Sequence, residues 1–221
     1  MNPLRALAAS FSYFSILPIR HPDEAPDDDA IALLPIVGLV IGGLSGFGAY
    51  GVALLTHSAV AAAIVAWVLS IALSGAIHVD GFLDCCDGLF AMVSPQRRLE
   101  IMRDPHHGTY ALVGMAMLTV LWLYVLVQIP VVLMPAILAL TGCFARGLSL
   151  VVLRPSKRIP SAVALLISIV TIVPWLFGVF AKRRLGGVLN GDCYGAAIVL
   201  TEIALLMISA VSTSRGPGLF R

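Results

Sequence analysis

Apolar runs long enough to cross a bilayer alternate with short polar stretches through most of this chain. A helix needs about 20 mostly apolar residues to cross the hydrocarbon core. Runs at 31–55, 59–77, 110–129, 131–153, 161–180 and 194–213 meet or approach that length, so the pattern predicts about six spans. Pro130 divides the third run from the fourth, and Pro174 falls inside the fifth. Gly38 and Gly42 in the first run have the small-xxx-small spacing that lets two helices approach closely. Ahead of these, Leu4, Leu7, Ala8, Phe11, Phe14 and Leu17 recur at helical spacing, with Ser10, Ser12 and Ser15 between them. That segment is too short to span and shows no clear small-x-small cleavage site, so it predicts a helix lying in the membrane interface. The expected fold is therefore all-α: a polytopic integral membrane helical bundle with an N-terminal interfacial helix. Residues 1–221 are read as one membrane-embedded domain without repeats or low-complexity tracts.

Composition agrees. Charged residues make up 12% of the 221 residues, and the mean hydropathy is +0.98. A soluble domain carries about twice that share of charge, so much of this surface must face lipid. A net charge of +2 is too small for a nucleic-acid partner. Cys85, Cys86, Cys143 and Cys193 form no C-x-x-C pair, which argues against a structural zinc site or a disulfide framework.

The polar segments are 78–109, 154–160 and 181–193, after an acidic loop at 21–30. Asp28 and Asp29 in that loop suit the positive end of the helix that follows. Each of the three later segments is basic: Arg97, Arg98 and Arg103; Arg154, Lys157 and Arg158; Lys182, Arg183 and Arg184. Positive residues favour the cytoplasmic side of a cell (inner) membrane. Six simple spans cannot place all three there, because 154–160 and 181–193 flank a single run. Either the 161–180 run re-enters or one loop breaks the rule.

Of the twelve acidic residues, Asp80, Asp84, Asp87, Glu100 and Asp104 cluster within 25 positions. Asp80, Asp84 and Asp87 stand at i, i+4 and i+7, on one face of a helix. Three carboxylates on one face repel one another and are costly beside a membrane. A divalent cation relieves the repulsion, and all-oxygen ligands suit Mg²⁺, Mn²⁺ or Ca²⁺. The bland alternative is a solvated helix end whose acids pair with Arg97, Arg98 and Arg103. His78, two residues before Asp80, faces away from the carboxylates on a continuous helix.

Downstream, Ser94-Pro95 reads as a helix start, and the helix should end near Arg103 because Asp104 precedes Pro105. Its arginines could hold phosphate oxygens, with Asp104, His106 and His107 next to them, or it could be a solvated connector. Arg146 sits inside an apolar run, where a charge calls for a phosphate ligand, a buried partner or snorkelling. Gly186-Gly187, Gly191 and Asp192 form a second glycine-rich patch, which could present backbone N–H groups to an anion. Asp192 could cap the last helix or add a metal ligand. Glu202, inside the last run, needs a partner.

These pieces resemble the cobalamin synthase family, the adenosylcobinamide-GDP ribazoletransferases. The matching residues are Phe14-Ser15-Ile16-Leu17-Pro18-Ile19 and Leu34-Pro35-Ile36-Val37-Gly38, then the His78–Gly88 block with the pattern H-x-D-G-x-x-D-x-x-D-G. They continue with Ile101-Met102-Arg103-Asp104, Gly108-Thr109, and Gly186-Gly187 with Gly191-Asp192 and Gly195-Ala196. They fall in the family's order over nearly the whole chain, and the His78–Gly88 block is the most specific. The chain departs from the family where Pro105 and His106 replace a frequent serine and arginine, where Val199 replaces a usual glutamate, and in a shorter stretch between Arg158 and Lys182.

The resemblance implies a Mg²⁺-dependent phosphotransferase acting in the membrane. The 3′-hydroxyl of α-ribazole, or of its 5′-phosphate, attacks the diphosphate of adenosylcobinamide-GDP. Cobalamin or its phosphate forms, and GMP leaves. On that reading Asp80, Asp84, Asp87 and Asp192 are expected to hold metal, and Asp84 or Asp87 to take the hydroxyl proton. Arg103, Asp104, His106, Arg146, Gly187 and Gly191 are expected to contact substrate, on the cytoplasmic side. A homo-oligomer is left open. Two other readings remain at this point. A CDP-alcohol-type phospholipid phosphotransferase would need an Ala-Arg after its first aspartate pair and a fourth aspartate, both missing here. A cation or metabolite transporter would place its acids at the membrane midplane.

Overall fold

A computed structural model of the chain describes residues 3–19, 26–153 and 171–214. The elements are α1 (Pro3–Phe14), α2 (Asp28–Ala32), α3 (Leu34–Thr56), α4 (Ala59–Leu73) and α5 (Ile77–Phe90). Then come α6 (Pro95–Ile101), α7 (Thr109–Gln128), a 3₁₀ turn (Val131–Leu133), α8 (Met134–Leu153), α9 (Ile172–Arg184) and α10 (Gly191–Ser214). The described residues contain no strand, as the all-α expectation requires.

The expected number of spans needs correction. Among the described residues four helical segments are long and apolar enough to cross a membrane: Leu34–Thr56, Thr109–Gln128, Val131–Leu153 and Gly191–Thr213. A fifth is reached only if α4 and α5 together count as one broken span. The run expected at 59–77 stops early because Gly75 and Ala76 both take left-handed backbone (φ 61° for each), with the Ala76 N–H donating to the Ile71 carbonyl at 2.9 Å. Left-handed backbone at a non-glycine residue costs about 1–2 kcal/mol, so this helix end is set by its surroundings. The 15 residues of α4 reach only about 22 Å at 1.5 Å per residue, short of the hydrocarbon thickness. The span expected at 161–180 begins outside the described residues. Its described part opens with Pro174 in the first turn of α9, where a missing N–H costs no helical bond, and ends in Lys182-Arg183-Arg184. The basic loop 154–160 and the acids Asp23 and Glu24 also lie outside the described residues.

Contacts group the chain into two compact units. One comprises the described residues of 1–76, 121–147 and 205–221, and the other those of 77–120 and 148–204. In the first unit α1 packs on α2 and α3, burying Ala6, Ala9, Ser10 and Phe11. Asp27 caps α2 by accepting from the Ala30 N–H at 2.8 Å, and Asp28 and Asp29 occupy its first turn. The glycine stripe of α3 faces α8. A methyl at Gly38 would fall on the Gly142 carbonyl oxygen, and one at Gly42 on the Leu138 carbonyl oxygen. The two helices therefore meet backbone to backbone, the purpose of small-xxx-small spacing. Trp67 and Trp122 stack with ring centroids 4.6 Å apart in the same unit.

Because a side chain at Gly42 would meet backbone atoms of Leu138 and Ala139, Gly42→Leu is expected to cost more than about 3 kcal/mol, at the upper end of overpacking penalties. Gly51, with open space around it, should accept alanine without loss. Melting midpoints of the two purified variants in detergent check both statements, and a parent-like midpoint for Gly42→Leu would contradict the contact.

Candidate functional site

The second unit is built around α5. One side of this helix enters a core of Cys85, Leu89, Met102, Ala181, Leu185, Cys193 and Ala196, drawn from α5, the end of α6, the end of α9 and the start of α10. The segment 78–90, expected as part of a polar connection, is thus a half-buried helix. The i, i+4, i+7 spacing holds, and its three carboxylates go progressively inward: Asp80 is exposed, Asp84 half-buried and Asp87 buried.

Glycines set the distance to α10. A methyl at Gly81 would lie 2.9 Å from the Asp192 Cα and 3.0 Å from its carbonyl oxygen. A methyl at Gly195 would lie 3.2 Å from the His78 carbonyl oxygen. Any side chain at these positions would push the helices apart. Because they do meet, the Asp84 carboxylate feels the negative charges of Asp80, Asp192 and Asp87 together, with His107 as the opposing group. The His107 ring stands between two of the acids, its Nε2 3.6 Å from Asp80 Oδ1 and its Nδ1 3.7 Å from Asp84 Oδ1. Asn190 closes the other edge. Its amide donates to Asp192 Oδ2 at 2.6 Å, and its Oδ1 caps α10 by accepting from the Cys193 N–H at 3.2 Å.

Asp87 is directed elsewhere. Its carboxylate accepts from the Gly108 N–H (2.5 Å) and the Ala111 N–H (3.0 Å), satisfying two donors at the start of α7. A methyl at Gly108 would stand 2.9 Å from Asp87 Oδ1, so a larger residue there would displace that carboxylate. Asp87 thereby fixes the segment carrying His107. The donor set of Asp80, Asp84 and Asp192 is oxygen-only, which suits a hard divalent cation. Among the described residues no three His, Cys, Asp or Glu side chains have the arrangement of a preformed metal site.

The other expected contacts are dispersed. Arg103, Asp104 and His106 lie exposed between α6 and α7. The His106 backbone N–H and ring bond Asp104 Oδ1 at 2.9 and 2.8 Å and hold its carboxyl below the usual range. Gly186 and Gly187 (φ 69° and 97°) close α9, the Gly187 N–H donating to the Lys182 carbonyl at 2.8 Å in a helix-terminating turn. No neighbour stands within 4 Å of a methyl placed at Gly187 or Gly191. Arg146 belongs to the first unit, where it is buried and donates from Nη1 to the Gly142 carbonyl at 3.0 Å.

Sequence reasoning misses the roles of Arg98 and Arg184. Ser94 caps α6 as expected, accepting from the Arg97 N–H at 3.4 Å, and Arg97 pairs with Glu100 at 2.6 Å. Arg98, expected on a solvated or phosphate-facing helix, is instead buried. Both it and Arg184 bond carbonyls at the end of α5. The only available signal was the apolar spacing that puts Arg98 on the same side of α6 as Met102.

The profile of the family described as Cobalamin-5-phosphate synthase matches residues 6–162 and 147–210. The two matched pieces overlap at residues 147–162. An adenosylcobinamide-GDP ribazoletransferase of Deinococcus radiodurans is 33% identical over 91% of this chain and 84% of its own length. Another of that name from Clostridium acetobutylicum is 34% identical over 57% of this chain and 50% of its own length. No solved structure matches.

Removing the Asp87 carboxylate leaves the Gly108 and Ala111 N–H groups unpaired, so Asp87→Ala is expected to lose about 2–3 kcal/mol of stability, the scale for hydrogen bonds to a charged group. Asp87→Asn, which keeps an acceptor, should lose less. Melting midpoints of both variants decide, and equal midpoints for the parent and Asp87→Ala would refute the cap.

Proposed function

Because this chain belongs to the cobalamin-5-phosphate synthase family, we propose that the acids gathered by α5 and the start of α10 form its reaction centre. The chain is a membrane ribazoletransferase of the final steps of cobalamin biosynthesis, joining adenosylcobinamide-GDP to α-ribazole or its 5′-phosphate with release of GMP. Family membership sets aside the phospholipid-synthase and transporter readings. The observation that carries the site assignment is the crowding of Asp80, Asp84 and Asp192, with His107 between the first two.

The transfer needs three things from the protein. A diphosphate must be held beside carboxylates, the attacking hydroxyl must be aligned with the phosphorus, and a proton must be taken up. Mg²⁺ held by Asp80, Asp84 and Asp192 would supply the positive charge that lets a diphosphate sit on an acidic surface and stabilises the departing phosphate oxygen. Asp84, half-buried beside His107, takes the proton of the 3′-hydroxyl. The new bond joins that oxygen to the phosphorus on the cobinamide side, and the bond to GMP breaks. Asp87 holds Gly108, and with it the His107 segment, in place. Arg103, Asp104 and His106 meet the substrate from the exposed α6–α7 connection, and Gly187 and Gly191 leave room for it beside Asp192. The basic end of α9 favours the cytoplasmic side for this face, and the surrounding partner is the lipid bilayer.

Asp84→Asn should fold and insert but release GMP at least about 100-fold more slowly, the scale for losing a metal-site or proton-transfer group. Near-parent turnover in that variant would sink the assignment. Independently, chelation by EDTA should stop GMP release and added Mg²⁺ should restore it; activity that persists after exhaustive chelation would remove the metal from the mechanism.

A further inference from the structure

Helix α5 ends at Phe90 with carbonyls that have no partner within the helix. Two guanidinium groups from different helices meet there. Arg98 of α6 donates from Nη1 to the Gly88 carbonyl (3.1 Å) and the Leu89 carbonyl (2.7 Å). Arg184, the last residue of α9, donates from Nε to the same Leu89 carbonyl (2.8 Å) and from Nη2 to the Ala91 carbonyl (3.4 Å). Arg98 is 5% exposed. Two like charges sharing one acceptor at low exposure repel each other, and stability alone would more cheaply use one arginine or an apolar pair.

The local sequence is arranged to bring them there. Gly88 has no side chain, and a methyl on it would strike Met102. That lets α6 lie against α5 closely enough for Arg98 to reach. The left-handed glycines after Leu185 stop α9 so that Arg184 stands in its last turn, and Gly186 itself packs on Pro95 at the start of α6. The negative end of the α5 dipole then faces two positive charges. The same helix carries Asp80, Asp84 and Asp87.

We infer that Arg98 and Arg184 are positioning residues: a two-arginine clamp on the C-terminal carbonyls of α5 that fixes the rotation and height of that helix, and thus where Asp80 and Asp84 stand relative to Asp192. The inference rests on the proposed reading of α5 as the acidic centre. The clamp touches neither substrate nor the reacting atoms.

The test uses lysine. Arg184→Lys and Arg98→Lys keep the charge, but one ammonium cannot reproduce the forked donation to two carbonyls. The purified full chain in detergent is measured for melting midpoint, for GMP release with adenosylcobinamide-GDP and α-ribazole, and for binding of Mn²⁺ alone by electron paramagnetic resonance. Each variant is expected to keep a cooperative melt and a KM for adenosylcobinamide-GDP within about twofold, while kcat falls about tenfold or more, as for a small misplacement of reacting groups. Mn²⁺ binding should weaken about tenfold, the scale for disturbing groups that orient metal ligands. Parent-like kcat and Mn²⁺ binding in both variants overturn the clamp. So does a loss of activity matched by the fraction of protein unfolded, which would make the arginines merely structural. Asp84→Asn is run alongside. If it remains active, the acidic-centre reading fails; if it is inactive while both lysine variants behave as the parent, the clamp alone fails.

Discussion

Like-charge repulsion among carboxylates governs the arrangement of the second unit. Asp80, Asp84 and Asp87 repel one another along α5, and Asp192 brings a fourth charge from α10. The protein answers each differently. Asp87 is spent on backbone N–H groups. Asp192 receives an amide from Asn190. Asp80 and Asp84 have His107 between them and solvent on one side. What this leaves over is a negative patch of oxygen donors, the complement of a hard cation carrying a phosphate. A helix core made only for stability would have no reason to retain it.

The parts of this arrangement that follow from local rules were legible in the sequence. Helical periodicity alone put three aspartates on one face of α5, Ser94-Pro95 gave the start of α6, and Gly38 with Gly42 marked a face that admits another helix. What was hidden depends on partners far along the chain. Asp87 bonds a residue 21 positions away, and Arg184 one 95 positions away. No spacing rule contains those distances. Gly186-Gly187 shows the same ambiguity: a pair of glycines suits an anion loop and a helix-ending turn alike, and here the backbone makes the turn. Hydropathy overstates the second span because it runs smoothly from α4 toward α5, while the chain breaks at Gly75 and Ala76.

The two units use arginine in contrasting ways. In the first, Arg146 lies over the α3–α8 glycine contact and bonds a carbonyl of its own helix. In the second, Arg98 and Arg184 serve a helix that is not theirs. Guanidinium suits the second task because its planar set of donors can bridge carbonyls that a compact ammonium would meet one at a time.

The contact of Gly81 and Gly195 across α5 and α10 has an effect on how this sequence can drift. The gap between the acidic rows is gauged by main-chain atoms of α5 and α10, and not by the side chains on their outward faces. Leucine, isoleucine, valine and phenylalanine on the outward faces can therefore be exchanged freely for whatever suits the surrounding lipid, without retuning the spacing of the carboxylates. Two hydrogen atoms, standing where side chains would otherwise be, decouple the chemistry from the greasy remainder of the chain.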